Sequence, residues 1–360
     1  MTPEEARAQF PVLERFAYLN AGTNGPLARA TVEAIAARQR SDMANGRGGG
    51  PYFEEMLAVR ERVRERFAKV LGVETTKLAL TSSTTHACQL VLAGLGLGAR
   101  DEVVTTDVEH FGLIGPLHAS GARVRVARVR ERPAADAFDA IRAEVGRRTR
   151  LLALSHVSWM TGHALPVREL KDETGLPVLV DGAQSVGAIP VAASEFDFYA
   201  VSGQKWLCGP DGTGALALAE PERLRVAAPT YFAQAGYEPD GTFTPRSGAM
   251  RFDATWLAPP LLAGLETALE LAPSWRFERA AELTARCRVL LAEQVDVVTE
   301  PGHATLISFR VGGDTAETTK RLHERGVVVR DVPGLGWIRV SCGYWTSEDD
   351  LARLLAALTD

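Results

Sequence analysis

The chain has 360 residues, 46% hydrophobic and 24% charged, with 40 basic against 45 acidic side chains and a formal net charge of −5. That length supports a large core and two lobes, and interspersed charge of this size argues against nucleic acid or an anionic membrane as partner. The four cysteines (Cys88, Cys208, Cys287, Cys342) are scattered and the seven histidines lack metal-ligand spacing; with no signal-peptide pattern in MTPEEARAQF and no apolar run near the roughly 20 residues that span a bilayer, the expectation is a cytoplasmic enzyme without a metal.

Residues 10–20 lead into the turn cluster Ala-Gly-Thr-Asn-Gly-Pro, then an amphipathic helix over about 28–43. Residues 46–50 (GRGGG) read as a flexible loop, and 52–71 as a helix with Glu54, Glu55, Arg60, Arg62 and Arg64 on polar faces. KLALTSSTTHACQLVLAGLGLG is a short strand, a hydroxyl-rich turn and a helix; Gly94, Gly96 and Gly98 follow a helix instead of a strand, so they stop it and are no dinucleotide fingerprint. Ser83, Thr84 and Thr85 open that helix, where hydroxyls and free N–H groups make an anion site for a phosphate. Ordinary N-capping explains the same cluster. DEVVTTDVEHFG gives a strand ending at Glu109 and His110, and LLALS another ending at His156, with Trp159 just beyond.

The stretch 176–216, LPVLVDGAQSVGAIPVAASEFDFYAVSGQKWLCGPDGTGAL, carries the most chemistry. Its apolar runs PVLVD and DFYAVS read as buried parallel strands, and open α/β sheets gather ligands at the carboxyl ends of such strands. Asp181 ends the first run; Ser202 and Lys205 follow the second. An acid and an amine on one rim suit pyridoxal 5'-phosphate (PLP): the lysine forms a Schiff base with the aldehyde, and the aspartate keeps the pyridinium nitrogen protonated so that the ring accepts electrons. Gln184 is available to the ring oxygen. A structural ion pair between Asp181 and Lys205, or two unrelated surface charges, is the alternative. Residues 229–251 are loop-like and aromatic, and RFDATWLAPPLLAGLETALEL starts a long helix. Helices and strands then alternate to DDLARLLAALT, preceded by the strand of Arg339 in GWIRVSC.

The paired segments VDGAQSVG and SGQKWLCGPDGTG resemble the cofactor-binding core of the class V aminotransferase family, and the likeness extends over nearly the whole chain. Cysteine desulfurases, selenocysteine lyases, kynureninases and isopenicillin N epimerase-like proteins belong to the same family. The resemblance implies the α/β fold of PLP-dependent transferases of fold type I, with a mostly parallel seven-stranded sheet in a large domain (15–255). A connecting helix and smaller C-terminal α+β domain (256–360) follow, and an N-terminal segment (1–14) packs near the small domain. It implies that His110 stacks on the cofactor ring, and that Ser83, Thr84, Thr85, Ser202 and Gln204 hold the phosphate. The family more often has Gly-Ala-Thr at that loop, and desulfurases have histidine at Gln204. Thr255, in a shifted R-F-E-x-G-T register, would reach the phosphate of a neighbouring subunit. Arg339, or failing it Arg330, would clamp the substrate α-carboxylate. Ala21, Gly22 and Asn24 would lie near the substrate, unless that segment is a plain connector. Trp159 stands where desulfurases usually show Asn.

The implied protein is a homodimer with shared active sites acting on an amino acid, first of all as a class V aminotransferase. Direct C–S β-elimination on a cysteine-type substrate and epimerisation are the enzymatic alternatives, and a PLP-binding regulator without turnover the non-enzymatic one. A persulfide mechanism is disfavoured, since no cysteine lies between Cys287 and Arg339 and Cys342 follows that arginine in the strand. Trp159, Tyr231, Phe232, Trp256 and Trp345 point to an apolar or aromatic-bearing substrate.

Overall fold

The computed structural model describes residues 1–359. After β1 (Ala17–Tyr18) come β2 (Leu78–Thr81), β3 (Glu102–Thr106), β4 (Arg123–Ala127), β5 (Thr149–Ser155), β6 (Val178–Asp181), β7 (Phe198–Ser202) and β8 (Gly214–Leu218). β2 to β8 form one seven-stranded sheet in the order β2-β8-β7-β6-β5-β3-β4. Neighbours are parallel from β4 to β7, and β8 runs against both β7 and β2. β6 and β7 are buried at every position. Leu152, Val178, Val180 and Val201 join one core layer with Val63 and Phe67 of the helix Gly49–Leu71, while Leu151, Leu179 and Ala200 join the opposite layer with Leu90 and Val91 of the helix Thr84–Leu95. Burial on both faces is why these strands read as continuous apolar runs, each Leu or Val contributing about 1.5–3 kcal/mol.

Beyond a short hairpin, β9 (Gln234–Tyr237) and β10 (Phe243–Pro245), the helix Pro259–Leu271 opens on two prolines in its first turn and packs on the helices Arg29–Asn45 and Gly49–Leu71. The C-terminal part holds β11 (Leu306–Arg310), β12 (Val327–Val328), β13 (Arg330–Val332) and β14 (Trp337–Ser341), with β11-β14-β13 an antiparallel sheet flanked by the helices Arg276–Ala292 and Glu348–Thr359. β1 pairs in parallel with β12, and Asn20 bridges Ser341. Arg7 bonds Asp350, and Phe10 packs on Tyr344 and Trp345. Residues 17–20, beyond the boundary drawn at residue 15, are therefore stitched to the C-terminal sheet. Among the described residues no helix is long and apolar enough to cross a membrane.

Three local expectations are corrected. Gly49 and Gly50 already belong to the helix Gly49–Leu71, so the GRGGG loop is shorter than it reads. The strand expected to reach His110 stops at Thr106: Asp107 Oδ1 accepts the Val129 and Arg130 N–H groups (2.8 and 3.0 Å) and turns the chain, and His110 becomes the N-cap of the helix Phe111–Ala119. Arg60 and Arg64 are buried, not on a polar face, because both meet Asp253 Oδ2 (3.2 and 2.7 Å).

Candidate active site

The carboxyl ends of β6 and β7 open into a cavity of about 220 Å³. Asp181 is the last residue of β6 and its Oδ1 accepts the Ala183 N–H at 2.9 Å. The chain turns there on Gly182, where a Cβ would stand 2.2 Å from the Tyr199 ring, so a side chain does not fit. Gln184 is fixed at both ends of its amide: Trp206 Nε1 donates to Oε1 (2.9 Å) and Nε2 donates to Gly22 O (2.8 Å).

Lys205 sits in the turn after β7, closed by the Cys208 N–H donating to the Lys205 carbonyl at 2.9 Å, with Cys208 in the left-handed region at φ 55°. The N-terminal turn clamps this loop. Gly25 N–H donates to Gln204 O (2.8 Å), and a Cβ at Gly25 would lie 2.2 Å from the Lys205 oxygen. Burial pulls the Lys205 amine down to about 8, with Arg339 and Arg330 adding to the shift and Asp181 opposing it.

At the opposite end, Thr84 Oγ1 and Ser202 Oγ are 2.6 Å apart, and Ser83 Oγ accepts the His86 N–H at 3.1 Å as N-cap of the helix Thr84–Leu95. Ser83 thus performs the capping that was the alternative to an anion site, and with Thr84, Thr85 and Ser202 it also lines the cavity beside the positive end of that helix. His110 Nδ1 accepts the Gly112 N–H at 3.0 Å, leaving Nε2 to carry the proton of the neutral ring. Burial lowers the His110 pKa, as do Lys205, Arg330 and Arg339, against Asp181. Beneath it Glu109 accepts from Thr106 Oγ1 (2.7 Å) and the Ser155 N–H (3.0 Å), yet burial pushes its carboxyl up to about 7.

The last wall is cationic. Arg330 and Arg339 are register partners on β13 and β14, and both donate to Thr23 Oγ1 (3.3 and 3.0 Å). Arg339 is 1% exposed and also donates to the Trp159 carbonyl at 3.2 Å. Among the described residues neither has a carboxylate partner, and burial beside Arg330 pulls Arg339 down to about 9. A buried cation without a counter-charge is costly, so this wall is built for an anionic ligand.

Of the residues singled out in the sequence, Gly22, Ser83, Thr84, Thr85, His110, Trp159, Asp181, Gln184, Ser202, Gln204, Lys205, Arg330 and Arg339 meet at this one cavity. Asn24 is exposed outside its lining, and Ala21 is buried beside it. Thr255 is exposed and also lies outside the lining. Of the five aromatic residues only Trp159 lines the cavity, and Trp345 is core packed on Phe10 and Tyr344. Thr23, Glu109, Gly112 and Trp206 were not picked out from sequence. Thr23 lies inside the turn cluster already noticed, and Glu109 is one half of its noticed pair.

The aminotransferase class-V family model matches residues 17–351. This chain belongs to that family. It is 32% identical to isopenicillin N epimerase of Streptomyces clavuligerus over 99% of its length and 97% of that protein's. It is equally 32% identical, over the same shares, to a probable cysteine desulfurase of Pseudomonas aeruginosa. Among solved structures it is similar to the cystine C-S lyase C-DES in complex with its product cysteine persulfide (TM-score 0.90, 30% identity, 98% of this chain and 99% of that one). A variant of that lyase with glycine covalently linked to its PLP cofactor matches at TM-score 0.91, with 30% identity and the same coverage. The class V chain described here is therefore a PLP-dependent enzyme with the fold of type I transferases. Its cavity fits the cofactor on its own chemistry: an amine, a carboxylate, a hydroxyl pair at a helix N-terminus and a flat imidazole converge.

Proposed function

We propose that this class V enzyme is a C–S lyase that cleaves an amino acid of the cystine type, bearing a second carboxylate, by β-elimination. The observation that carries the reading is the pair of cavity-lining arginines without an acidic partner, a wall matched to a substrate with two carboxylates. PLP, when bound, supplies the electron sink for the pair left as the Cα–H bond breaks. Lys205 would hold the cofactor through its aldehyde and, as the free neutral amine, would take the Cα proton; its lowered pKa favours that form. Asp181 would pair with the pyridine nitrogen, His110 would stack on the ring and Gln184 would donate to the ring oxygen. Thr84, Thr85, Ser202, Gln204 and the Ser83 turn would hold the phosphate. Arg339 takes the α-carboxylate and Arg330 the distal one.

Elimination is preferred to transamination because a cystine-type substrate, whose two carboxylates suit the wall, carries its own sulfur leaving group. No protein thiol is at hand to attack that sulfur: all four cysteines are buried and none lines the cavity. The likeness to the cystine C-S lyase supports the same reading. The site is completed in a homodimer. Trp256 and Tyr231 are 54% and 60% exposed and flank the exposed Thr255, a surface suited to carry Thr255 to a second copy's phosphate.

The test is incubation of the PLP-loaded enzyme with L-cystine. Pyruvate and ammonia released without a 2-oxo acid support the lyase. A requirement for a 2-oxo acid would make it an aminotransferase, and loss of optical activity without pyruvate an epimerase.

A further inference from the structure

Trp159 occupies the centre of the cationic wall. The turn that carries it is tight: Ser158 Oγ accepts the Met160 and Thr161 N–H groups (3.2 and 3.1 Å), and the Ser158 N–H donates to His163 O (2.9 Å). The turn is also tied to the C-terminal part, where Ser308 Oγ donates to Met160 O and Thr299 Oγ1 to Thr161 O. The indole is thereby held edge-on to His110, with ring centroids 5.4 Å apart at 86°. The Arg330 and Arg339 guanidinium carbons stand 5.8 and 5.9 Å from its centroid. An aromatic face attracts cations, so one ring offsets part of the repulsion between two like charges. Its carbonyl accepts from Arg339, and its Nε1 is buried with no partner, as is Arg339 Nε. A buried donor left unmade is costly, so the orphaned indole N–H beside the Arg330 and Arg339 guanidiniums, the latter with its own orphaned Nε, marks a place where a further acceptor belongs.

We propose that Trp159 is a specificity-determining residue: its ring holds Arg330 and Arg339 side by side, and its Nε1–H donates to the second carboxylate of the substrate. The inference rests on the dicarboxylate reading of the site and concerns binding, so it stands apart from which reaction follows. An asparagine there would supply a donor without the face that gathers the cations; a phenylalanine supplies the face without the donor.

The test uses the PLP-loaded enzyme and the variants Trp159→Phe and Trp159→Ala, with glutarate as dicarboxylate probe and butyrate as monocarboxylate control. Dissociation constants are read by calorimetry, and PLP affinity is measured alongside. The expected result is about tenfold or greater weakening of glutarate in Trp159→Phe, the size of one hydrogen bond to a charged group. Butyrate and PLP should stay within about twofold of wild type, and glutarate should weaken further in Trp159→Ala. Equal weakening of both acids, a parallel loss of PLP, unchanged glutarate affinity or no glutarate binding to the wild type would each overturn the proposal. Discrimination lost in Trp159→Phe alongside a wild type that releases no pyruvate from cystine would sustain this inference and remove the lyase reading.

Discussion

Lys205 concentrates the chemistry of the site, and its environment makes a kinetic statement. Burial lowers its pKa to about 8 while Asp181 pulls the other way, so a far larger fraction of neutral, nucleophilic amine is present near neutrality than for an ordinary lysine, and it dominates above that value. Reconstitution of the PLP-free protein should therefore accelerate as pH rises from 7 towards 9 and level off, with a midpoint near 8; a flat profile would show that the amine is not the titrating group. Lys205→Ala should abolish turnover with an unchanged circular dichroism spectrum. Such residues were legible in sequence because a strand end, an acid and a lysine lie within one short stretch. Thr23 was not, since its role in holding Arg330 and Arg339 exists only after β1 has paired with β12 and brought the N-terminal turn across the C-terminal sheet. Arg330 read as an alternative to Arg339, and the β13–β14 register shows why it is a companion: the two side chains are cross-strand partners.

At the scale of elements, two junctions hold the site in shape. The helix Gly49–Leu71 is locked to the segment ahead of the helix Pro259–Leu271 by Asp253, which meets Arg60, Arg64 and the Leu80 N–H (3.2, 2.7 and 2.9 Å) while all three side chains are nearly inaccessible. Asp253→Ala leaves buried Arg60 without an acidic partner and Arg64 with only the half-exposed Glu61 (3.2 Å), and should cost about 3–5 kcal/mol, seen as a lower urea midpoint; a loss below about 1 kcal/mol would mean that water reaches the network. The second junction is a pair of histidines, His163 and His303, with ring centroids 4.7 Å apart. Each accepts a backbone N–H from the other's side, Glu300 N–H to His163 Nε2 (3.0 Å) and Ala164 N–H to His303 Nδ1 (3.1 Å). Burial, then His303, depresses His163 from 6.5 to about 4, so the unfolded chain binds more protons in that interval. Stability from this clasp is whole above pH 6.5 and declines as pH falls towards 4; His163→Gln should flatten that decline in thermal melts, and an unchanged slope would assign it elsewhere. Neither junction was legible. Arg60 and Arg64 carry the helical spacing of a solvated face, and only a partner 189 residues away buries Arg64. The strands were legible, because burial on both sheet faces writes a local signal, whereas His110 was misplaced by a turn that depends on Asp107 meeting a loop beyond β4.

The whole molecule is a mostly parallel sheet that delivers an acid, an amine and a hydroxyl cluster at a helix N-terminus to one rim, and a C-terminal sheet that closes the rim with cations. This assembly follows from topology: β6 and β7 are adjacent parallel strands, so Asp181 and the turn carrying Lys205 must emerge side by side. The exposed Trp256, Tyr231 and Phe53 leave an aromatic surface unfilled in a single copy, and the protein should sediment at twice 38.8 kDa. Trp256→Asp should shift it to monomers with loss of activity; a fully active monomer would remove Thr255 from the site. The fold and cofactor follow from strand ends and motifs that the sequence displays, whereas the choice of reaction rests on the anion wall, which no single stretch contains. The most direct measurement is pyruvate release from L-cystine by the PLP-loaded enzyme, with L-cysteine as the comparison. The account predicts pyruvate and ammonia from cystine, without added 2-oxo acid and at a higher kcat/KM than from cysteine. Turnover that prefers cysteine, or that proceeds only with a 2-oxo acid, would contradict it.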